Sequence, residues 1–269
     1  MEFLAVGSER IPTPDSAELM EDREGLVTRS DLEAYEAEWS EPVEVGYLGL
    51  VFATRAGLSR VPKTVANLPR LSGLSQTERV LALVLALSED ATAAGGDTTN
   101  ISVADGEGNI CIVTTSLGLG SGDFLPGLDL HLNSMLGEAD LLAGPLEPGS
   151  RMESMMAPSI VFEASGRPLL GAGAAGGTRL RTALLESVSG ILDEGLEPDA
   201  AIARPRFHPA GDTLHAEPGI DEEALASLEA AGRRVRRWPS QHHYFGGVSV
   251  VGEAGAAGDP RRNGGAVVL

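Results

Sequence analysis

A single cysteine, Cys111, in 269 residues excludes a disulfide framework and any thiolate-rich metal centre. Aromatic side chains make up only 4% of the chain, so its core must be built from small aliphatic side chains. Basic residues are also in deficit. The 20 Lys and Arg stand against 39 Asp and Glu, and the resulting charge of −19 disfavours nucleic acid or an anionic membrane as a partner. The longest apolar run, Val80 to Leu87, falls far short of the roughly 20 residues that cross a bilayer. The opening Met1-Glu2-Phe3-Leu4-Ala5-Val6-Gly7 lacks the basic start and apolar stretch of a secretory leader, so the expected compartment is cytoplasmic. Five histidines show no metal-ligand spacing, and neither a metal nor another cofactor is expected.

What is present falls into two unequal parts. Residues 1–44 carry 13 acids against 3 bases, a net −10 and more than half of the excess charge. Within them Ser30-Asp31-Leu32-Glu33 reads as a capping box opening a short helix to about Trp39. Pro42 to Ala53 reads as one or two short strands, and Thr54 to Ser75 as a loop. A second capping box, Ser75-Gln76-Thr77-Glu78, opens a helix expected to reach about Ala94, apolar nearly all round from Val80 to Leu87 and therefore buried. Beyond it the chain is rich in strands. A loop from Gly118 to Ser150 precedes a hairpin of Ser159–Ala164 with Pro168–Gly173. Then come a helix from Thr178 to about Glu194 and another capped by Asp221, with short strands near Val235, Val248 and Val267. Arg233 to Arg237 reads as the solvated side of a strand rather than a phosphate patch. Strands, then helices, then strands imply an α+β fold.

Thr98 is the residue with the most chemistry around it. Runs rich in β-branched residues on either side of Gly106-Glu107-Gly108-Asn109 form a hairpin signal. If its loop centres on Glu107, residues whose numbers sum to 214 face each other, which places Thr98 opposite Ser116. A threonine hydroxyl is a poor nucleophile until a base takes its proton. Breaking the Asp97–Thr98 bond would free an α-amine of pKa roughly 7.7–8.0, suited to that task. On this stretch alone, ordinary strand threonines are the favoured reading.

A second motif points elsewhere. Gly171-Ala172-Gly173-Ala174-Ala175-Gly176 matches the G-x-G-x-x-G dinucleotide fingerprint, with Asp193 some twenty residues on. The context argues against a dinucleotide, because Asp193 ends a helix rather than a parallel strand and the preceding strand pairs best as an antiparallel hairpin. Gly176-Gly177, where a strand turns into a helix, would suit an oxyanion held by backbone N–H groups. A tight turn needing glycine dihedrals explains the same pair.

Taken in order, the motifs resemble the γ-glutamyltranspeptidase family of N-terminal-nucleophile hydrolases. The likeness runs through Thr98-Thr99-Asn100-Ile101-Ser102-Val103-Ala104-Asp105, Gly120-Ser121-Gly122, Leu132-Asn133 and Ser154-Met155-Met156-Ala157-Pro158. It continues through Gly176-Gly177-Thr178-Arg179, Pro205-Arg206 and Gly258-Asp259-Pro260-Arg261. Gly25-Leu26-Val27-Thr28 and Asp31-Leu32-Glu33-Ala34-Tyr35 resemble the end of the family's large subunit. The resemblance implies a layered αββα fold of which this chain supplies about half. Residues 1–97 would be a truncated large-subunit part, and residues 98–269 a small-subunit catalytic part. It implies self-cleavage before Thr98 and γ-glutamyl or related acyl transfer through an acyl ester on that residue. Ser116 would support the nucleophile, Gly176 and Gly177 would form the oxyanion hole, and Ser154 and Glu138 would hold the substrate's α-carboxylate and α-amine. The implied partners are a small-molecule γ-glutamyl or related amide and a second polypeptide or copy of the chain.

This chain also departs from the family pattern. Asn100 stands where the family has histidine, and an asparagine expected just after Ser116 is replaced by Leu117 or Gly118. Met155 replaces the second serine of the carboxylate-binding pair, and only 97 residues precede Thr98. The missing part would contribute sheet strands and a carboxylate-binding arginine. The alternatives are a non-enzymatic remnant, or half of a split complex, that keeps the fold alone, and, further off, the dinucleotide binder.

Overall fold

A computed structural model describes residues 28–88, 97–125, 129–138, 141, 144–145, 147 and 149–269. Its central element is a six-stranded antiparallel sheet in the order β1-β2-β7-β8-β12-β13. Its strands are β1 (Val43–Tyr47), β2 (Leu50–Thr54), β7 (Ser159–Phe162), β8 (Pro168–Ala175), β12 (Gly247–Gly252) and β13 (Gly255–Gly258). The strands before residue 97 thus belong to the same sheet as those after it, with β2 paired to β7 through Phe52↔Val161 and Ala53↔Ile160. The fold is α+β, as the sequence predicts.

Alternation along β8 and β12 decides what each face meets. Leu170, Ala172, Ala174, Val248 and Val250 are buried in the main core with Leu180, Leu184 and Val188 of α4 (Leu180–Leu192). Small residues on the strands let this helix lie close. Helix α3 (Gln76–Leu87) adds Val80, Leu83, Val84 and Leu87 to the same core. Its start follows the expected capping box: Ser75 Oγ accepts from Glu78 N at 3.2 Å, and Glu78 Oε2 accepts from Ser75 N at 2.9 Å. A three-stranded sheet, β9 (Phe207–Ala210), β10 (Thr213–Ala216) and β11 (Arg234–Arg237), and helix α6 (Glu222–Ala230) complete this side, where Phe207, Leu214, Ala224 and Leu225 are buried.

The opposite face carries the hairpin of β3 (Asp97–Ala104) and β4 (Ile110–Gly118). Its register is the expected one: Thr98↔Ser116, Thr99↔Thr115, Asn100↔Thr114 and Ile101↔Val113. The glycines of the apparent dinucleotide fingerprint are what let it dock. A Cβ on Gly171 would lie 2.4 Å from Ile110 Cγ2, and one on Gly173 would lie 1.9 Å from the Asn100 amide. Both sit in an antiparallel strand between β7 and β12, so the parallel βαβ unit of a dinucleotide fold is absent from this site. The order is therefore helices, six-stranded sheet, hairpin. The hairpin's outer face, with Ile101 and Val103 each 54% and Val113 48% exposed, is bare among the described residues.

Several local expectations need correction. Thr54 to Ser75 is not all loop. It contains α2 (Val61–Asn67), where Pro62 occupies the first turn that tolerates it and Val61, Thr64 and Val65 are buried at helical spacing. The first helix, α1 (Arg29–Glu33), is capped by Thr28 with Asp31 rather than by Ser30, and it stops well before Trp39. Helix α3 is not buried on every side, because Leu85 is 77% exposed. Its expected continuation to Ala94 lies outside the described residues beyond position 88. No strand forms at Val267, which is exposed in a C-terminal segment without secondary structure. The Gly118–Ser150 region includes the short pair β5 (Phe124–Leu125) and β6 (Leu130–His131).

Candidate active site

The start of β3 puts Thr98 on the inner face of the hairpin, with Asn100 and Ser102 following at two-residue spacing. Thr98 Oγ1 donates to Ser116 Oγ at 3.3 Å, and Ser116 Oγ accepts from Gly118 N at 3.1 Å. Behind them Asn100 ties the strand to the sheet. With its amide oriented to satisfy its neighbours, its nitrogen donates to Thr114 Oγ1 (2.5 Å) and its oxygen accepts from Ser249 Oγ (2.6 Å) and Ser102 Oγ (3.1 Å). The residue standing in the place of the family's histidine is therefore a structural anchor here.

Thr98 and Ser116 open onto a small cavity of about 30 Å³, room for roughly two waters. Glu138, Ser154 and Gly177 also line it, so five of the six predicted site residues meet in one place. Gly176 sits one residue behind the lining. The remaining wall is apolar: Met135, Leu141, Met155, Met156 and Leu180. Of these Met155 is visible in the sequence as a departure from a motif and Met156 as part of it; the others read as ordinary core or loop residues. Glu138 is the sole charged residue among the described lining residues.

Ser154 is held from both sides. Its hydroxyl accepts from Met156 N (3.1 Å) and its carbonyl from Leu58 N (3.0 Å). Gly57, at φ 121°, passes so close that a Cβ would lie 2.8 Å from that carbonyl. Upstream, Arg151 pairs with Glu38 at 2.8 Å and lies over the Tyr35 ring, so the N-terminal part helps to position the loop. The position two residues beyond Ser116 on the inner face is Gly118, at φ 66°. A Cβ there would lie 2.1 Å from Glu138 Oε1, so the carboxylate occupies the space a side chain at 118 would need.

Gly176 (φ 133°) and Gly177 (φ 58°) make the turn from β8 into the short 3-10 turn Gly177–Arg179 that opens α4. A Cβ on Gly176 would lie 2.8 Å from Gly246 Cα, so glycine is required on steric as well as dihedral grounds. The Pro205-Arg206 and Gly258–Arg261 motifs form one buried ionic network. Arg206 pairs with Asp259 (2.5 Å) and Arg261 with Glu217 (2.6 Å), all nearly inaccessible. Their side chains tie α5 (Pro198–Ala203), β10 and the C-terminal turn together and do not line the cavity.

This arrangement, a threonine strand backed by stacked antiparallel sheets and helices, is the α+β architecture of the N-terminal-nucleophile hydrolases. A solved structure of that architecture, cephalosporin acylase from Bacillus halodurans, matches with a TM-score of 0.78 over 96% of this chain and 58% of that one; at 18% identity the likeness is one of fold. The chain belongs to the gamma-glutamyltranspeptidase family, whose sequence profile matches residues 69–269. The glutathione hydrolase proenzyme of Bacillus subtilis (strain 168) is 28% identical over 181 residues, covering 64% of this chain and 31% of that protein. The acylase ACY 1 proenzyme of Pseudomonas sp. (strain V22) is 28% identical over 216 residues, covering 76% and 38%. The chain thus spans about a third of the length of these relatives.

Proposed function

We propose that this chain carries the nucleophile of an acyl-transferring hydrolase, and that Thr98 is that nucleophile. The observation that carries the reading is convergence: residues 98, 116, 138, 154 and 177, remote in sequence, line one cavity. In the first step Thr98 Oγ attacks the Asp97 carbonyl, the peptide nitrogen takes the proton, and an ester replaces the amide. Water then cleaves the ester, leaving an Asp97 carboxylate and a free Thr98 amine. In turnover that amine accepts the Thr98 hydroxyl proton as Oγ attacks a substrate amide, and it passes the proton to the departing amine. Water or an amine then releases the acyl group. Relatives named as proenzymes support the processing step.

The lining favours an acyl group without a free α-carboxylate. Among the described lining residues Ser154 is the one serine at the position expected to hold a carboxylate, with Met155 in place of the second, and none is Lys or Arg. A missing hydrogen bond to a charged group costs about 1.5–3 kcal/mol, or roughly 10- to 150-fold. A glutaryl 4-nitroanilide is therefore expected to be turned over at least as well as its γ-glutamyl counterpart. A low-micromolar Michaelis constant for the γ-glutamyl compound would overturn this specificity. The bare outer face of the β3–β4 hairpin favours a companion reading, in which a second polypeptide or a second copy covers it.

A further inference from the structure

Arg262 is a half-buried cation that makes no ion pair among the described residues. It ends the short turn Pro260–Arg262, and a glycine makes room for its stem: a Cβ on Gly247 would lie 2.9 Å from Arg262 Cδ and 3.1 Å from its Cβ and Cγ. Its guanidinium reaches the Gly176 turn, with Nη2 3.6 Å from where a Cβ on Gly176 would stand. Arg262 Nε is buried with no hydrogen-bond partner. The neighbouring carboxylate is already engaged, because Asp259 receives Arg206 (2.5 Å), Arg261 (3.3 Å) and the backbone amides of Val248 (3.1 Å) and Arg261 (3.0 Å).

A second guanidinium stands close by. Arg179 donates from Nε to the Tyr244 carbonyl at 3.0 Å and lies over that ring. Burial first, and the Arg262 charge after it, hold Arg179 below its ordinary pKa. A half-buried cation with no ion pair among the described residues, beside another cation, is expensive. Arg262 reaches Gly176, next to Gly177, which lines the same cavity as Thr98.

We propose that Arg262 provides the positive potential that stabilises the oxyanion formed when Thr98 Oγ adds to a substrate carbonyl at the Gly176–Gly177 turn. The role is a positioning one, exerted through the turn's backbone dipoles rather than by contact. As the C–O bond to Thr98 forms, the carbonyl π pair moves onto oxygen, and that charge disperses when the leaving amine departs with its proton. The inference rests on the Thr98 reading and adds a residue to it. Removing a direct donor typically slows such a reaction about 100- to 1,000-fold, and a charge one layer back should act more weakly, at about tenfold.

The test compares wild type with Arg262→Met, which keeps the stem, and Arg262→Lys, which keeps the charge. The readouts are hydrolysis of glutaryl 4-nitroanilide and binding of n-butylboronic acid, whose adduct with a threonine hydroxyl is a tetrahedral anion. The expected result is kcat down about tenfold in Arg262→Met with KM little changed, a matching loss of boronate affinity, and recovery to within about threefold of wild type in Arg262→Lys. Wild-type kcat and boronate affinity in a folded Arg262→Met variant would overturn the proposal, as would a rise in KM alone. If Arg262→Met does not fold, the comparison passes to Arg262→Lys and Arg262→Gln, where equal kcat and equal boronate affinity would overturn it. Thr98→Ala separates the two layers: boronate binding that survives it sinks the nucleophile reading, whereas binding that needs Thr98 but ignores Arg262 sinks only this inference.

Discussion

Replacing Gly173 by alanine tests how the nucleophile strand is seated. The new Cβ would lie 1.9 Å from the nearest atom of the Asn100 amide and 2.4 Å from its Cγ. Ordinary contacts run about 3.5–4.0 Å, so either β3 retreats by about 1.5 Å or the Asn100 amide swings away and gives up its bonds to Thr114, Ser102 and Ser249, which hold the strand to the sheet. Overpacking of this kind destabilises by about 1–3 kcal/mol, which in a chain of this size lowers Tm by about 5 °C. The effect on chemistry should be larger than the effect on stability. Asn100 lies two residues from Thr98 on the same face, and a misplacement of about 1 Å costs roughly 100-fold in rate. Self-cleavage followed by mass spectrometry should therefore slow about 100-fold in Gly173→Ala while the protein remains folded by circular dichroism. The clashing atoms all lie beyond the Asn100 Cβ, so Asn100→Ala should relieve the clash, and the double variant should recover much of the lost stability. Wild-type Tm and cleavage in Gly173→Ala, or no recovery in the double variant, would refute this packing.

Two further outcomes follow from groups away from the cavity. Glu186 is fully buried on α4, and loss of hydration pushes its carboxyl up to about 8, with Arg79 and Arg206 offsetting part of the rise. A raised folded pKa favours the neutral acid, so stability is complete below the ordinary value of 4.5 and falls as pH rises through about 8. Glu186→Gln should flatten the decline of Tm between pH 5 and 8, and an unchanged slope in calorimetry would show that the decline comes from other groups. On the hairpin, Ile101 and Val113 form an exposed cross-strand pair. Replacing both with lysine should leave Tm within about 1 °C but abolish self-association or capture of a companion chain in sedimentation. A wild type that sediments as a monomer and binds no apolar dye would count against any covering partner.

The sequence announces those features whose cause is local. The hairpin register follows from two β-branched runs around one turn, and the start of α3 follows from Ser75 and Glu78 three residues apart. Helix α2 is hidden because Pro62 and the flanking Gly57 and Gly73 look like loop punctuation, although proline is at home in a first helical turn. The use of Gly171 and Gly173 is hidden for a different reason. Their spacing imitates a phosphate-binding loop, whereas the requirement comes from the Ile110, Ile112 and Asn100 side chains some sixty to seventy residues earlier. The polar half of the cavity is legible through family motifs. Most of its apolar wall and the role of Arg262 are not, because Met135, Leu141, Leu180 and Arg262 acquire meaning only from their three-dimensional neighbours.

The central claim, that Thr98 is a nucleophile which frees its own amino group, is tested most directly by the mass of the purified protein with time. Cleavage of the Asp97–Thr98 bond predicts two fragments, residues 1–97 and 98–269, in wild type, with Thr98→Ala remaining intact under the same conditions. A folded wild-type chain that stays whole through long incubation would contradict the account, as would a Thr98→Ala chain that is cut at the same bond.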